Sequence, residues 1–476
     1  MWGLVLPEHF QKLNRQRINS PELKLPSTLS IAGAQPKDYF VDGSPSAYQL
    51  LKADGTIDKA YLYLTMRRGG RFIYALDVSE PTAPTVLWKI SNATAGFAEL
   101  GQTWSRPRVT LLKGYVDAAT GKSKPVLIFA AGYDPAEDSE PPTANTMGRG
   151  IFIVDAITGA LIWRATSSAD TSSCPTGATC VTSSAMSWSF PADISFVDRD
   201  SDGYTDRLYA ADVGGNVWRV DLEPAGNTPD KWQISRLAAL GCSAGACASG
   251  TTPRKFFYPP SVLMVGVAGN SGSYDAVLIG SGDREHPLIS TASGSAYQVT
   301  NRFYMLKDVY TSKAAPPSGT AAITETASSP SGLIDATNSS YDGTRKGYFV
   351  TLANTGEKSV NAATTVQGIT YFGTNQPVAP SGNSCSANLG VARGYALSPF
   401  TATRSVSNFD GGGLPPSPVA GIVNIQVGDK TVQQQFCIGC GGSSGAIGGD
   451  AKSGFGISNP NKTVPMSPRR TYWYKR

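Results

Sequence analysis

Histidine is nearly absent from this chain of 476 residues: there are two, His9 and His286. A Ser-His-Asp hydrolase would have to use one of them, and no Gly-x-Ser-x-Gly elbow accompanies either. Charged residues make up 16%, low for a cytosolic protein, and 41 Lys and Arg against 36 Asp and Glu leave a net charge of +5. That excess is mild and scattered, so nucleic acid is not an expected partner. No run approaches the roughly 18 apolar residues of a membrane-spanning helix. A secretion signal is also missing from Met1-Trp-Gly-Leu-Val-Leu-Pro7, which has no basic start, long apolar core or cleavage site. The expectation is a fragment whose upstream part is missing. Helical periodicity is scarce, with Pro7 to Arg15 the best candidate. By contrast, 51 Gly and 32 Pro supply many turns and suit an all-β architecture.

Cysteine is sparse but grouped. Cys174 and Cys180, and Cys242 and Cys247, lie in loops rich in Gly, Ser, Thr and Ala. Each pair is close enough for a small-loop disulfide, which points to an oxidising compartment. Cys437-Ile-Gly-Cys440 has the spacing of half a zinc site, but no second C-x-x-C exists. A structural bridge among Cys385, Cys437 and Cys440, with one thiol left over, is the expectation.

The densest chemical signal is Asp198-Arg-Asp-Ser-Asp202-Gly203-Tyr204-Thr-Asp206. Calcium prefers oxygen ligands, and a loop with oxygens at alternate positions can turn every second residue toward one ion. Asp198, Asp200 and Asp202 would give side-chain oxygens, Tyr204 its carbonyl, and Asp206 would close the shell. Gly203 falls where the loop must turn sharply. An EF-hand would carry Glu at the twelfth position, where this chain has Tyr209. Four like charges in nine residues would repel without a cation. The acidic stretch Asp134 to Glu140 lacks such spacing and reads as a solvated face. Asp283-Arg284-Glu285-His286 reads as a loop pinned by its own ion pairs.

Short β-like runs recur, each followed by an Asp or Gly turn and a second strand. They begin near Phe72, Ile151, Leu208, Arg302 and Gly394, and Trp88, Trp163 and Trp218 anchor the second strands of the first three. Units of this kind build a β-propeller. Spacings exceed a bare blade of about 40 to 50 residues, so low-complexity stretches at 311–345, 376–390, 408–418 and 437–461 are read as inserted surface loops. The terminal Thr471 to Tyr474 is read as the strand that seals the ring.

In combination these segments resemble the C-terminal domain of the PilY (PilC/PilY) family of type IV pilus biogenesis factors and pilus-tip adhesins. The resemblance rests on the aspartate loop followed by Asp212-x-x-Gly-Asn-x-Trp218-Arg-x-Asp221. It extends to Tyr39-Phe-Val-Asp-Gly-Ser-Pro45, Gly69-Gly-Arg-Phe-Ile-Tyr-Ala-Leu-Asp77, Gly101-Gln-Thr-Trp104-Ser-Arg-Pro107 and Phe129-Ala-Ala-Gly-Tyr133-Asp134. Gly280-Ser-Gly-Asp283-Arg-Glu-His-Pro287, Gly356-Glu-Lys358 and the final Arg469-Arg-Thr-Tyr-Trp-Tyr474 also agree.

The resemblance implies one modified seven-bladed propeller domain over residues 1–476, without the family's N-terminal region. It implies calcium held by Asp198, Asp200, Asp202, the Tyr204 carbonyl and Asp206. It further implies an exported, non-enzymatic protein at the cell surface, pilus tip or outer membrane that works with minor pilins and with host-cell or abiotic surfaces in pilus extension and retraction, twitching and attachment. Two rival classes fit the residues less well. Val154-Asp-Ala-Ile-Thr-Gly159-x-x-x-Trp163 is similar to the repeat of quinoprotein dehydrogenases, which use pyrroloquinoline quinone and calcium, but those gather calcium ligands from distant segments. Integrin-type binding propellers repeat the calcium loop in several blades, whereas this chain has it once.

Overall fold

The computed structural model describes residues 3–24, 32–379 and 388–439, apart from 225, 244, 246, 248–249, 268, 327–331, 367, 410 and 428–429. Five sheets of four or five strands follow one another along the chain. The first is a meander of Ser46–Leu51, Ile57–Thr65, Phe72–Asp77 and Thr85–Ser91. The second joins Arg108–Val116, Ser123–Ala130, Gly150–Asp155 and Leu161–Ser167, with Thr179–Ser183 added in parallel at its edge. The third is Ser195–Val197, Arg207–Ala211, Asn216–Asp221 and Gln233–Ala239. The fourth and fifth centre on Tyr274–Gly280 with Arg302–Asp308, and on Ile369–Gln376 with Val391–Leu397. A ribbon of Val419–Val427 and Lys430–Ile438 follows.

Successive side chains of a strand point to opposite faces, and here both faces are apolar. Leu127 and Phe129 pack toward the first sheet, against Tyr63, Ile73 and Trp88. Their neighbours Val126 and Ile128 pack toward the third, against Leu208, Ala210 and Trp218. The same alternation joins the third sheet to the fourth through Tyr209, Val217, Val277 and Tyr304. Phe303, Met305, Phe372 and Tyr395 then join the fourth to the fifth. Sheets buried on both faces and stacked in chain order form a β-propeller. The five units expected from sequence are strands of five separate sheets. The described residues contain five such sheets, so the expected count of seven is not reached among them. The sealing strand at Thr471 to Tyr474, Cys385 and Cys440 lie outside the described residues.

Trp88 fastens the first sheet to the second. Trp88 donates from Nε1 to the Ala156 carbonyl at 3.1 Å, and Tyr63 Oη donates to the same oxygen at 3.1 Å. The receiving turn is shaped by Asp155, which accepts from the Ile157 and Thr158 amides at 2.9 Å. It ends at Gly159, with φ of +73°, where an added Cβ would lie 2.9 Å from the Trp88 ring. Only glycine suits that position, on grounds of backbone and of space. The N-terminal helical segment comprises Pro7–His9 and Phe10–Ile18.

Candidate metal site

The aspartate loop is the connection between Ser195–Val197 and Arg207–Ala211, which pair antiparallel up to Val197 opposite Arg207. Positive φ at Ser201 (61°) and Gly203 (92°) folds the chain back on itself. Asp198 accepts from the amides of Asp202 at 3.1 Å and Gly203 at 2.9 Å. Asp202 accepts from the Tyr204 amide at 3.0 Å, and Asp206 from the Arg199 amide at 2.6 Å. The strand Arg108–Val116 holds the loop from outside, since the Thr205 amide donates to the Leu111 carbonyl at 3.1 Å.

Carboxylate oxygens of Asp198, Asp200 and Asp206 lie within 4.8 Å of one another. The structure therefore brings together three of the four aspartates singled out by spacing. Asp202 turns its carboxylate to the Lys113 ammonium instead. Asp206 Oδ1 is buried and has no hydrogen-bond partner. Burial pushes the Asp206 carboxyl up to about 6, with the charges of Asp200 and Glu223 adding to the effect. Asp198 is raised as well, by burial and then by Asp202. Crowded carboxylates with a free inward oxygen are chemically suited to a hard cation.

Three residues outside the loop complete the site, and sequence reasoning missed all of them. Glu223 is 3% exposed, and its Oε1 is buried without a partner. Its Oε2 lies 3.2 Å from Lys113 Nζ and 2.7 Å from Lys313 Nζ. Lys313 also reaches Asp200 at 3.0 Å. A cavity of about 210 Å³ is lined by Asp200, Asp206 and Glu223 with Arg199, Arg207 and Lys313. The only sequence signal for Glu223 is its position just beyond the strand Asn216–Asp221; the lysines are 110 and 90 residues from it along the chain.

A second polar cluster corrects the reading of Asp134 to Glu140 as a solvated face for two of its acids, whereas Asp138 and Glu140 are exposed as expected. Asp134 and Glu137 are 2% and 0% exposed. Asp134 accepts from the amides of Ala136, Thr146 and Met147. Glu137 meets Lys255 at 2.8 Å, and Lys255 meets Asp283 at 2.9 Å. The buried ammonium is what allows the acids to leave water. His286 Nδ1 lies 2.9 Å from Asp283, and Arg68 bridges Asp138 and Glu285 at 2.8 and 2.9 Å. The Asp283 to His286 stretch is thus a loop pinned by ion pairs, which extend to other loops as well. Both expected disulfides, Cys174–Cys180 and Cys242–Cys247, are formed.

Residues 20–253 match the family model of the PilY1 beta-propeller domain. A type IV pilus biogenesis factor PilY1 homolog of Xylella fastidiosa is 29% identical over 217 residues, 43% of this chain and 12% of the relative. Type IV pilus biogenesis factor PilY1 of Pseudomonas aeruginosa strain UCBPP-PA14 is 30% identical over 194 residues, 40% of this chain and 13% of the relative. The match therefore spans only a small part of those relatives' own length. The crystal structure of the Pseudomonas aeruginosa PilY1 C-terminal domain superposes with a TM-score of 0.51 at 20% identity, covering 77% of this chain and 71% of that one. That likeness concerns the fold.

Proposed function

Because the chain belongs to the PilY1 family, we propose that it acts in type IV pilus biogenesis as an exported protein at the cell surface, on the pilus tip or the outer membrane. In this reading residues 1–476 serve as one propeller domain that meets minor pilins and also host-cell or abiotic surfaces. Its role is to bind and to regulate, without catalysis. The Asp198 to Asp206 loop holds one calcium ion through Asp198, Asp200, Asp202, the Tyr204 carbonyl and Asp206. When bound, the ion supplies positive charge that lets these carboxylates crowd together.

The observation that carries the calcium reading is the unpartnered Asp206 Oδ1 beside the Asp198 and Asp200 carboxylates. Oxygen ligands alone, with neither histidine nor thiol among them, favour calcium over the transition metals. A loop whose conformation depends on its ion can bias pilus extension against retraction, and twitching with it, through a partner that reads the loop.

The test has two parts. Isothermal titration should show calcium binding by the wild type and none by Asp206→Ala. In cells, an Asp198→Ala strain should change in both surface piliation and twitching. Normal piliation and motility in that strain would count against regulation, and unchanged binding by Asp206→Ala would sink the ligand assignment.

A further inference from the structure

Two ammonium groups share the carboxylates of the aspartate loop with a buried acid outside it. Lys113 reaches in from the strand Arg108–Val116 of the second sheet; its Nζ contacts Asp202, lies 3.9 Å from Asp200 and 3.2 Å from Glu223. Lys313 comes from the segment after the strand Arg302–Asp308 of the fourth sheet, with Nζ 3.0 Å from Asp200 and 2.7 Å from Glu223. Neighbouring sheets on either side thus each send one cation to a loop of the third. Glu223 is the common point: its side chain is 2% exposed, and it lines the same cavity as Asp200 and Asp206.

We propose that Lys113 and Lys313 are built-in competitors of the metal, and that Glu223 is the buried counter-charge that draws them off the aspartates when a cation binds. This rests on the calcium reading above. An ion ligated by Asp200 must sit near an ammonium that touches the same carboxylate, and like charges at such range repel. Ligation therefore requires Lys313 to leave Asp200, and Glu223 Oε2, already 2.7 Å away, receives it without exposing an unpaired buried carboxylate. The exchange couples ion binding to the position of the 311–314 segment. That segment is fastened to the third sheet by Arg207, which donates to the Ser312 carbonyl at 2.9 Å, and by Arg219, which donates to the Ala314 carbonyl at 3.4 Å. The two lysines would lower the site's affinity and make the ion exchangeable, as a sensor needs.

The experiment is calcium chloride titrated calorimetrically into chelator-treated wild type, Lys113→Met, Lys313→Met, the double variant, Lys313→Arg and Glu223→Gln. Thermal melting establishes that each is folded; Lys313 is half exposed and should tolerate change. Each Met variant should bind calcium about tenfold more tightly, and the double variant more tightly than either. Lys313→Arg should stay near wild type, because the charge is kept. Glu223→Gln should bind about tenfold more weakly, since both ammonium groups then fall on the aspartates alone. Folded Met variants with unchanged or weakened affinity would overturn the proposal while leaving the calcium site standing. Failure of the wild type to bind calcium would remove the calcium reading itself, and this inference with it.

Discussion

Arg219 and Asp308 meet across the seam between the third and fourth sheets, with Nη1 2.7 Å from one carboxylate oxygen and 2.8 Å from the other, and neither side chain touches solvent. Arg219 simultaneously binds Asp221 on its own strand, and Tyr209 Oη donates to Asp308 at 2.7 Å. Arg207 extends the array through Asp221 and Asp275. This charged lattice lies beside the aspartate loop, whose second residue, Arg199, also pairs with Asp275.

Breaking one side of such a lattice strands the other in a poorly solvating interior. Asp308→Asn should lower stability by about 3–5 kcal/mol, read as a fall in the denaturant midpoint. Replacing both partners, Arg219→Met with Asp308→Leu, should cost less than the sum of the single changes. Strict additivity would show that the two residues do not act together.

Asp206 illustrates a conflict between stability and binding. Its unpartnered Oδ1 and its raised carboxyl are unfavourable to the fold. In the presence of chelator, Asp206→Asn should therefore melt no lower than wild type. Adding calcium should raise the wild-type melting temperature by mass action and leave the variant unmoved. A calcium-dependent rise in the variant would contradict the assignment.

The His286–Asp283 pair sets a pH dependence. The hydrogen bond to Asp283 raises His286 above its ordinary 6.5. Its stabilisation is complete below about 6.5 and is lost as pH rises through the raised value. Burial opposes ionisation of Asp283, but His286 and Lys255 outweigh it and hold the carboxyl down to about 2. That contribution is present above 3.8 and is lost as pH falls toward 2. His286→Gln should flatten the loss of stability between pH 6 and 9 and shrink the acid limb to the part that Lys255 sustains, as measured by urea unfolding across pH.

The two disulfides close loops of a few residues, so each should contribute at most about 2 kcal/mol. Peptide mass spectrometry without reduction should recover Cys174 linked to Cys180 and Cys242 linked to Cys247. A Cys174→Ser, Cys180→Ser double variant should remain folded.

Much of the architecture was legible because strand signals are local. Phe72–Asp77, Gly150–Asp155 and Arg302–Asp308 lie where runs of β-branched and aromatic residues place them. The loop was legible for the same reason, with nine consecutive residues declaring an oxygen-rich turn. What escaped was whatever depends on distant residues. Nothing near Lys113 or Lys313 indicates that both ammonium groups meet at Glu223. Asp134 and Glu137 look like surface acids until Lys255 arrives beside Glu137, 118 residues away along the chain. Hydropathy reads a charge as solvated, whereas in this propeller arginines and acids are buried in mutual contact between sheets.

The strand Thr179–Ser183 lies parallel along Leu161–Ser167, pairing Trp163 with Thr179 and Arg164 with Cys180. Without it Leu161–Ser167 would present a bare row of amides and carbonyls, a template for strands of another molecule. Cys180 lies within the covering strand, and its bridge to Cys174 ties that strand to the preceding loop. The bridge is therefore expected to guard solubility more than it adds stability. Protein produced in a reducing cytoplasm should keep its fold and yet self-associate through an uncovered second sheet, whereas the same chain with the bridge formed should stay monodisperse.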